Sequence, residues 1–159
     1  CREIKYELGL SYNYNGLGGV YRKKKNYPKA MEYLQKSLEI ANRNHYERLR
    51  ADLLGDIGEI YQIQNKADSS LIYYTESEKI SEALSDSVGI ANSMLGIANA
   101  YTLKGNLEEA QNVAFTGLKI AEKLNNIQNI KEAYKTLGDI YEAKKQPQEA
   151  LNYFKKAKE

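Results

Sequence analysis

The chain of 159 residues is long enough for about one domain; it carries 23 Lys+Arg against 21 Asp+Glu, a net charge of +2, and is 42% hydrophobic. The near-neutral balance argues against a nucleic-acid or membrane-surface binder, and the apolar share argues against disorder. One Cys and one His exclude an internal disulfide and a multi-cysteine zinc site, and leave little for His-based catalysis.

No stretch approaches the ~18 apolar residues that span a bilayer, and no apolar signal segment opens the chain. Cys1 is read as the cut end of a fragment rather than as the lipid-bearing first residue of a processed lipoprotein. The reason is that Arg2-Glu3-Ile4-Lys5-Tyr6 runs straight into a helical pattern.

The elements fall into four units of one 40-residue period, approximately 11–44, 51–84, 91–124 and 131–159, within a single domain. In the first unit Tyr14, Leu17, Gly18 and Tyr21 stand at i, i+3, i+4 and i+7, one face of a helix. A turn at Asn26-Tyr27-Pro28 follows, then a second helical face of Ala30, Tyr33, Leu34 and Ser37, then a turn at Asn42-Arg43-Asn44-His45. The second unit repeats this as Leu54, Ile57, Gly58, Tyr61, a turn over Asn65-Lys66-Ala67-Asp68, then Ser70, Tyr74 and Ser77, closing at Ser85-Asp86. The third has Met94, Ile97, Ala98, Tyr101, a turn at Gly105-Asn106-Leu107, then Ala110, Ala114 and Gly117, closing at Asn125-Asn126. The fourth has Tyr134, Leu137, Gly138, Tyr141, a turn at Gln146-Pro147, then Ala150, Phe154 and Ala157. Its last helix, from Gln148 to Lys158, ends with no capping helix after it, from which the chain is expected to be a fragment or to end unusually.

Local chemistry fits these bounds. Pro28 and Pro147 suit a first helical turn, where the missing N–H costs nothing. Gly105 suits a helix C-cap, and Asp68 favours a helix start. The column Gly18, Gly58, Ala98, Gly138 lies inside helices, where Gly costs about 1 kcal/mol relative to Ala. A close helix crossing would offset that cost, and it is expected against Ala30, Ser70, Ala110 and Ala150. Ala98 indicates that small size matters there, not positive φ.

These columns resemble the tetratricopeptide repeat, most fully at Tyr134, Leu137-Gly138, Tyr141, Ala150, Phe154 and Ala157. The 40-residue period is similar to a longer-helix subtype of regulatory, sensor and adaptor proteins. The resemblance implies an all-α, right-handed superhelical solenoid of four antiparallel helix pairs, each stabilised by its neighbours.

Opposite the packed face of each first helix lie Tyr12, Asn15, Gly16, Gly19; Asp52, Gly55, Asp56, Glu59; Asn92, Leu95, Gly96, Asn99; and Glu132, Lys135, Thr136, Asp139. The resemblance implies that this face lines a concave groove for an extended peptide or a helix. Short Asn, Asp and Gly side chains are poorer helix formers than Lys, Glu, Gln or Arg by several tenths of a kcal/mol each, so a merely solvated face would not choose them. Close packing of successive first helices is the competing explanation. Peptide-binding residues are expected at Tyr12, Asn15, Asp52, Asp56, Glu59, Asn92, Asn99, Glu132, Lys135 and Asp139. Asp52, Asp56, Glu59, Glu132 and Asp139 against Lys135 alone make the face acidic, favouring basic or neutral partners. The family's Lys and Asn clamp for a C-terminal carboxylate is not reproduced. Asn99 and Lys135 match two of its positions, but Gly16, Gly19, Asp52 and Asp56 stand where amide or basic groups are needed.

Other signals are read as structural. Gly16-Leu17-Gly18-Gly19 lies mid-helix with no strand before it, so it is no phosphate loop. Arg22-Lys23-Lys24-Lys25 ends a helix, where the dipole favours cations. His45 is read as a surface turn residue, and most of the 14 tyrosines as core.

The sequence thus predicts a non-enzymatic interaction module, with no nucleophile–base pair, no metal and no cofactor. It is expected to be the sensing or scaffolding part of a larger regulatory protein, binding protein or peptide segments, as a monomer or weak oligomer, without nucleic acid or direct membrane contact. The alternative is a small-molecule or signalling-peptide receptor controlling a kinase or DNA-binding effector elsewhere in the parent chain. The compartment stays open, with the cytoplasm favoured over an extracytoplasmic part of a membrane-anchored protein. Abundant Lys, Asn, Ile and Tyr hint at an AT-rich microbial, bacterial genome.

Overall fold

The computed structural model describes residues 2–159, and side chains from residue 6 onward; Cys1, on which the fragment-or-lipoprotein reading turned, lies outside the described residues. Eight helices account for nearly all of it: α1 (Arg2–Lys23), α2 (Tyr27–Arg43), α3 (Glu47–Ile63), α4 (Ala67–Ala83), α5 (Ser87–Lys104), α6 (Leu107–Lys123), α7 (Ile127–Ala143) and α8 (Pro147–Lys156). Each odd helix packs on the even helix after it, and each even helix on the odd helix that follows. The result is an all-α solenoid without strands among the described residues.

The turns have a 20-residue rhythm. Lys25, His45, Asn65, Ser85, Gly105, Asn125 and Lys145 all adopt positive φ, between 52° and 80°. One left-handed residue after each helix reverses the chain. The next N–H then bonds back across the turn: Asn26 to the Tyr21 carbonyl (2.9 Å), Lys66 to Tyr61 (2.9 Å), Asn106 to Tyr101 (3.0 Å) and Gln146 to Tyr141 (2.9 Å). This six-to-one bond satisfies a carbonyl that the helix end leaves orphaned. The side chains of Asn26, Asp86 and Asn126 accept from the N–H three residues on, capping α2, α5 and α7. Asp68 is not a cap; α4 starts from Lys66, and Asp68 lies in the first turn, where its charge suits the dipole.

Packing within each pair follows the small column: the expected Ala30 backbone does lie against Gly18, its carbonyl 3.4 Å from where a Cβ would stand, but the nearest atoms belong to a side chain further along the second helix. A Cβ at Gly18 would stand 2.8 Å from Leu34 Cγ and Cδ2, one at Gly58 3.0 Å from the Tyr74 ring, and one at Gly138 2.5 Å from Phe154 Cδ1. The small residue therefore accommodates Leu34, Tyr74 or Phe154, four residues beyond the Ala30 column, because that side chain is the one crossing the helix. Where Ala98 replaces Gly, the opposite position shrinks to Ala114, and both lie in one buried cluster.

The tyrosine column stacks with the second helix. Tyr21 lies on Tyr33 at 5.4 Å between ring centroids, Tyr61 on Tyr73 at 5.3 Å, and Tyr141 on Tyr153 at 5.2 Å. These rings are partly buried and seal the edges of the first, second and fourth pairs rather than filling their centres; in the third pair Val113 stands in place of the partner tyrosine. Hydroxyls tie the pairs as well: Ser37 donates to the Ser11 carbonyl and Ser77 to the Ala51 carbonyl, both at 2.8 Å.

Candidate functional site

First helices meet first helices along the inner side of the solenoid. α3 packs directly on α5, and α5 on α7, while α1 makes no comparable contact with α3. Two adjoining hollows result. The smaller, about 300 Å³, lies between α3, α4 and α5 and includes Asp52, Gly55, Asp56, Glu59, Tyr74, Ser81 and Asn92. The larger, about 540 Å³, continues to α7 and includes Gln62, Asn99, Gln128, Asn129, Glu132 and Lys135. Glu59, Tyr74 and Asn92 border both.

Tyr74 forms the wall between them. It rises from α4, is 9% exposed, and lies between Gly58 of α3 and Gly96 of α5. Burial pushes its phenol well above the ordinary range, helped by the nearby charges of Glu59 and Asp56. It therefore stays a neutral hydroxyl.

Of the residues expected in the groove, Asp52, Asp56, Glu59, Asn92, Asn99, Glu132 and Lys135 border these hollows. Tyr12, Asn15 and Asp139 do not. Tyr12 and Asn15 are carried by α1, which packs less closely on α3 than α3 does on α5; Tyr12 is 53% exposed. Asp139 lies beyond the hollow's end on α7, half-buried, its carboxyl raised by burial. Thr136, on the same predicted face, is buried.

The acidic side of the groove is partly neutralised from outside it. The Arg22 guanidinium, at the end of α1, donates to Asp56 at 2.6 Å and also to Glu59. This is the fate of one residue in the basic run read as a helix terminus. Burial raises the carboxyls of Asp56 and Glu59, and Arg22 opposes the rise. Asp52 is raised by burial and then by Asp56 and Asp86; Arg48 lowers it, but Arg48 itself pairs with Asp86 at 2.8 Å. Lys135 is engaged by Glu132 at 3.4 Å.

Several contributors were illegible along the first helices. Tyr74, Ser77 and Ser81 come from α4, reaching inward past small residues. Ser93 donates to Ser77 at 3.0 Å. Among the described residues four buried side-chain groups have no protein partner, the hydroxyls of Ser70, Ser81 and Thr136 and the Asn129 amide nitrogen; of these Ser81 lines the smaller hollow and Asn129 the larger. Gln62 donates to the Gly96 carbonyl at 2.6 Å, tying α3 to α5.

The arrangement offers carboxylates, amides and hydroxyls on a fixed helical frame. Among the described residues no group of three or more His, Cys, Asp or Glu is placed to hold a metal ion. Among the described residues no helix is long and apolar enough to cross a membrane. The Gly16-Leu17-Gly18-Gly19 run lies inside α1.

The fold has relatives among solved structures. The crystal structure of BtubC (BKLC) from P. vanneervenii superposes with a TM-score of 0.77 at 21% identity, over 94% of this chain and 62% of that one. A Rap protein complexed with competence and sporulation factor superposes with a TM-score of 0.85 at 23% identity, over 92% of this chain and 42% of that one. The chain thus spans less than two thirds of either protein, and both likenesses concern the fold. No curated protein matches the chain in sequence. The tetratricopeptide repeat profile matches residues 9–83, 49–123 and 89–159. With those three overlapping matches added to the 40-residue register and the paired helices, the chain belongs to the tetratricopeptide repeat family.

Proposed function

We propose that the chain is a protein-interaction module whose inner groove, along α3, α5 and α7, receives a segment of a partner. One observation carries the reading: the two hollows adjoin, sharing Glu59, Tyr74 and Asn92 as lining, and hold buried polar groups, Ser81 and Asn129, that no protein atom satisfies. Buried polar groups are ordinarily paired, so a surface that keeps two unpaired is suited to a polar visitor. Asn92 and Asn99 can give and accept hydrogen bonds to a peptide backbone, while Asp52, Asp56 and Glu59 favour a basic or neutral segment. The module serves as the sensing or scaffolding part of a larger regulatory protein.

The test is peptide selection by display on the full chain. Selected peptides are expected to be basic or neutral, to crosslink to a photoreactive residue at Asn92, and to lose affinity for Asp56→Lys. Glu122→Lys, on the exposed side of α6, serves as the control and is expected to bind unchanged. Peptides that bind both variants alike would refute the groove.

A second reading, a receptor for a small molecule or signalling peptide, draws on the recessed smaller hollow and on the factor-bound Rap protein of like fold. A compound that raises the melting temperature of the chain with no protein partner present is its distinguishing result.

A further inference from the structure

The smaller hollow has an unbalanced chemistry. Asp52, Asp56, Glu59 and the nearby Asp86 stand against Arg22 and Arg48, an excess of two negative charges; Arg22 pairs only with Asp56 and Glu59, and Arg48 with Asp86. The Asp52 carboxylate has no ion pair among the described residues. Deeper in, Ser81 is 1% exposed and its Oγ bonds to nothing in the protein. That oxygen lies 2.5 Å from where a Gly89 Cβ would stand, so the missing side chain is what leaves room beside it. The neighbouring hydroxyls are already committed, Ser93 to Ser77 and Ser77 to the Ala51 carbonyl. A Cβ at Gly55 would meet only Ser77 Oγ, at 3.9 Å, so the approach from α3 is also open.

An anion is repelled here, and a neutral group leaves the carboxylates uncompensated. A compact cation with several N–H donors satisfies both the charge and the open hydroxyl acceptor. We infer that this hollow is a pocket for one alkylguanidinium or alkylammonium group, held by Asp52 and Ser81, with Arg22 as a built-in competitor for the adjoining acids. The inference deepens the groove reading and rests on it for the origin of the cation: a basic side chain of the bound segment. Burial raises the Asp52 carboxyl, and a cation beside it would relieve that cost.

The test is an NMR titration of the isotope-labelled full chain with three probes. They are an N-acetylated Gly-Arg-Gly amide, the same peptide with neutral, near-isosteric citrulline, and free agmatine. Saturable shifts centred on the Gly55 and Gly89 amides are expected from the arginine peptide and not from the citrulline one. Asp52→Asn is expected to weaken that binding by about tenfold or more, as for loss of a charged hydrogen bond. Arg22→Gln is expected to tighten it, because two carboxylates are released; a purely structural Arg22 would give no gain. Agmatine binding as tightly as the peptide supports the pocket and assigns its cation to a small molecule. Equal binding of the arginine and citrulline peptides, or no saturable shift at Gly55 and Gly89 with any cation, overturns the pocket. The display experiment judges the groove separately, since peptides that crosslink at Asn92 without a charge requirement leave the groove standing.

Discussion

Gly96→Ala is the sharpest test of how the inner surface is built. Alanine is the better helix former by about 1 kcal/mol, so a solvent-facing glycine in α5 would gain stability from the change. At Gly96 the added Cβ would press on Cε1, Cζ and Cδ1 of the Tyr74 ring, the last at 2.5 Å, about an ångström inside ordinary van der Waals contact. The ring has no retreat, because a Cβ at Gly58 on its other side would stand only 3.0 Å away. Overpacking of this kind costs about 1–3 kcal/mol, and a ring clamped from both sides belongs at the upper end. The net expectation is a loss of about 1–2 kcal/mol, or a fall of roughly 2–8 °C in melting temperature for a chain of this size.

Urea titration followed by circular dichroism measures the change. Gly55→Ala on α3 is the control, since its nearest neighbour is Ser77 Oγ at 3.9 Å; it is expected to gain up to about 1 kcal/mol. Tyr74→Leu in the Gly96→Ala background should recover part of the loss, giving a coupling of about 1 kcal/mol in a double-mutant cycle. A Gly96→Ala variant as stable as Gly55→Ala would refute the clamp, and with it the account of why Tyr74 divides the groove.

Two further outcomes are expected. Ser85→Gly should stabilise the chain by up to about 1 kcal/mol, because Ser85 holds φ 53°, a region that costs a non-glycine residue about 1–2 kcal/mol; thermal unfolding that moves down instead contradicts this. Asp52, Asp56 and Glu59 all have raised carboxyl pKa values, so as pH falls toward the ordinary carboxyl range the folded chain takes up these protons before the unfolded chain does. Their contribution to stability therefore increases on acidification from neutral pH and is full below the unfolded values. Urea midpoints measured from pH 7 to 4 should show that gain shrinking in an Asp52→Asn/Asp56→Asn variant; an undiminished gain contradicts the assignment.

What the sequence could disclose was what repeats along one helix. The tyrosine and glycine columns are legible because every pair must present the same face to its neighbour, and the 3.6-residue period makes a face visible as spacing. The residues of α3, α5 and α7 that border the hollows share one face and are legible for the same reason. The side chain that fills the glycine column is not legible, because spacing gives no rotation of one helix about its axis relative to another. Ala30 and Leu34 lie on one face, and only coordinates show that Leu34 crosses at Gly18. The left-handed turn residues were hidden for a chemical reason: only Gly105 of the seven is glycine, and Lys25, Lys145 or Ser85 carry no such mark. Arg22 looked like a helix-end cation, and its pairing with Asp56, 34 residues away, has no local signature.

The side chains that fill the glycine column also explain the site. In register, Leu34, Tyr74, Ala114 and Phe154 are one position, and each follows a small residue of its own first helix: Gly18, Gly58, Ala98 and Gly138. The next first helix presents Asp56, Gly96 and Thr136 at equivalent places. Only at Tyr74 are both neighbours glycine, so only there can a large ring pass between two first helices and reach the inner surface. Ala114 has larger neighbours in Ala98 and Thr136 and stays fully buried. On the first pair, Asp56 takes the corresponding place and turns to Arg22, and α1 meets α3 less closely than α3 meets α5. The hollows centre on Tyr74 because two missing side chains let it through. The same omissions at Gly55 and Gly89 leave the space beside Asp52 and Ser81 unfilled. Packing and the hollows therefore draw on one resource, the absence of a Cβ, and if the proposed groove binds a partner, substitutions at these glycines should alter that binding whenever they alter the fit of the helices.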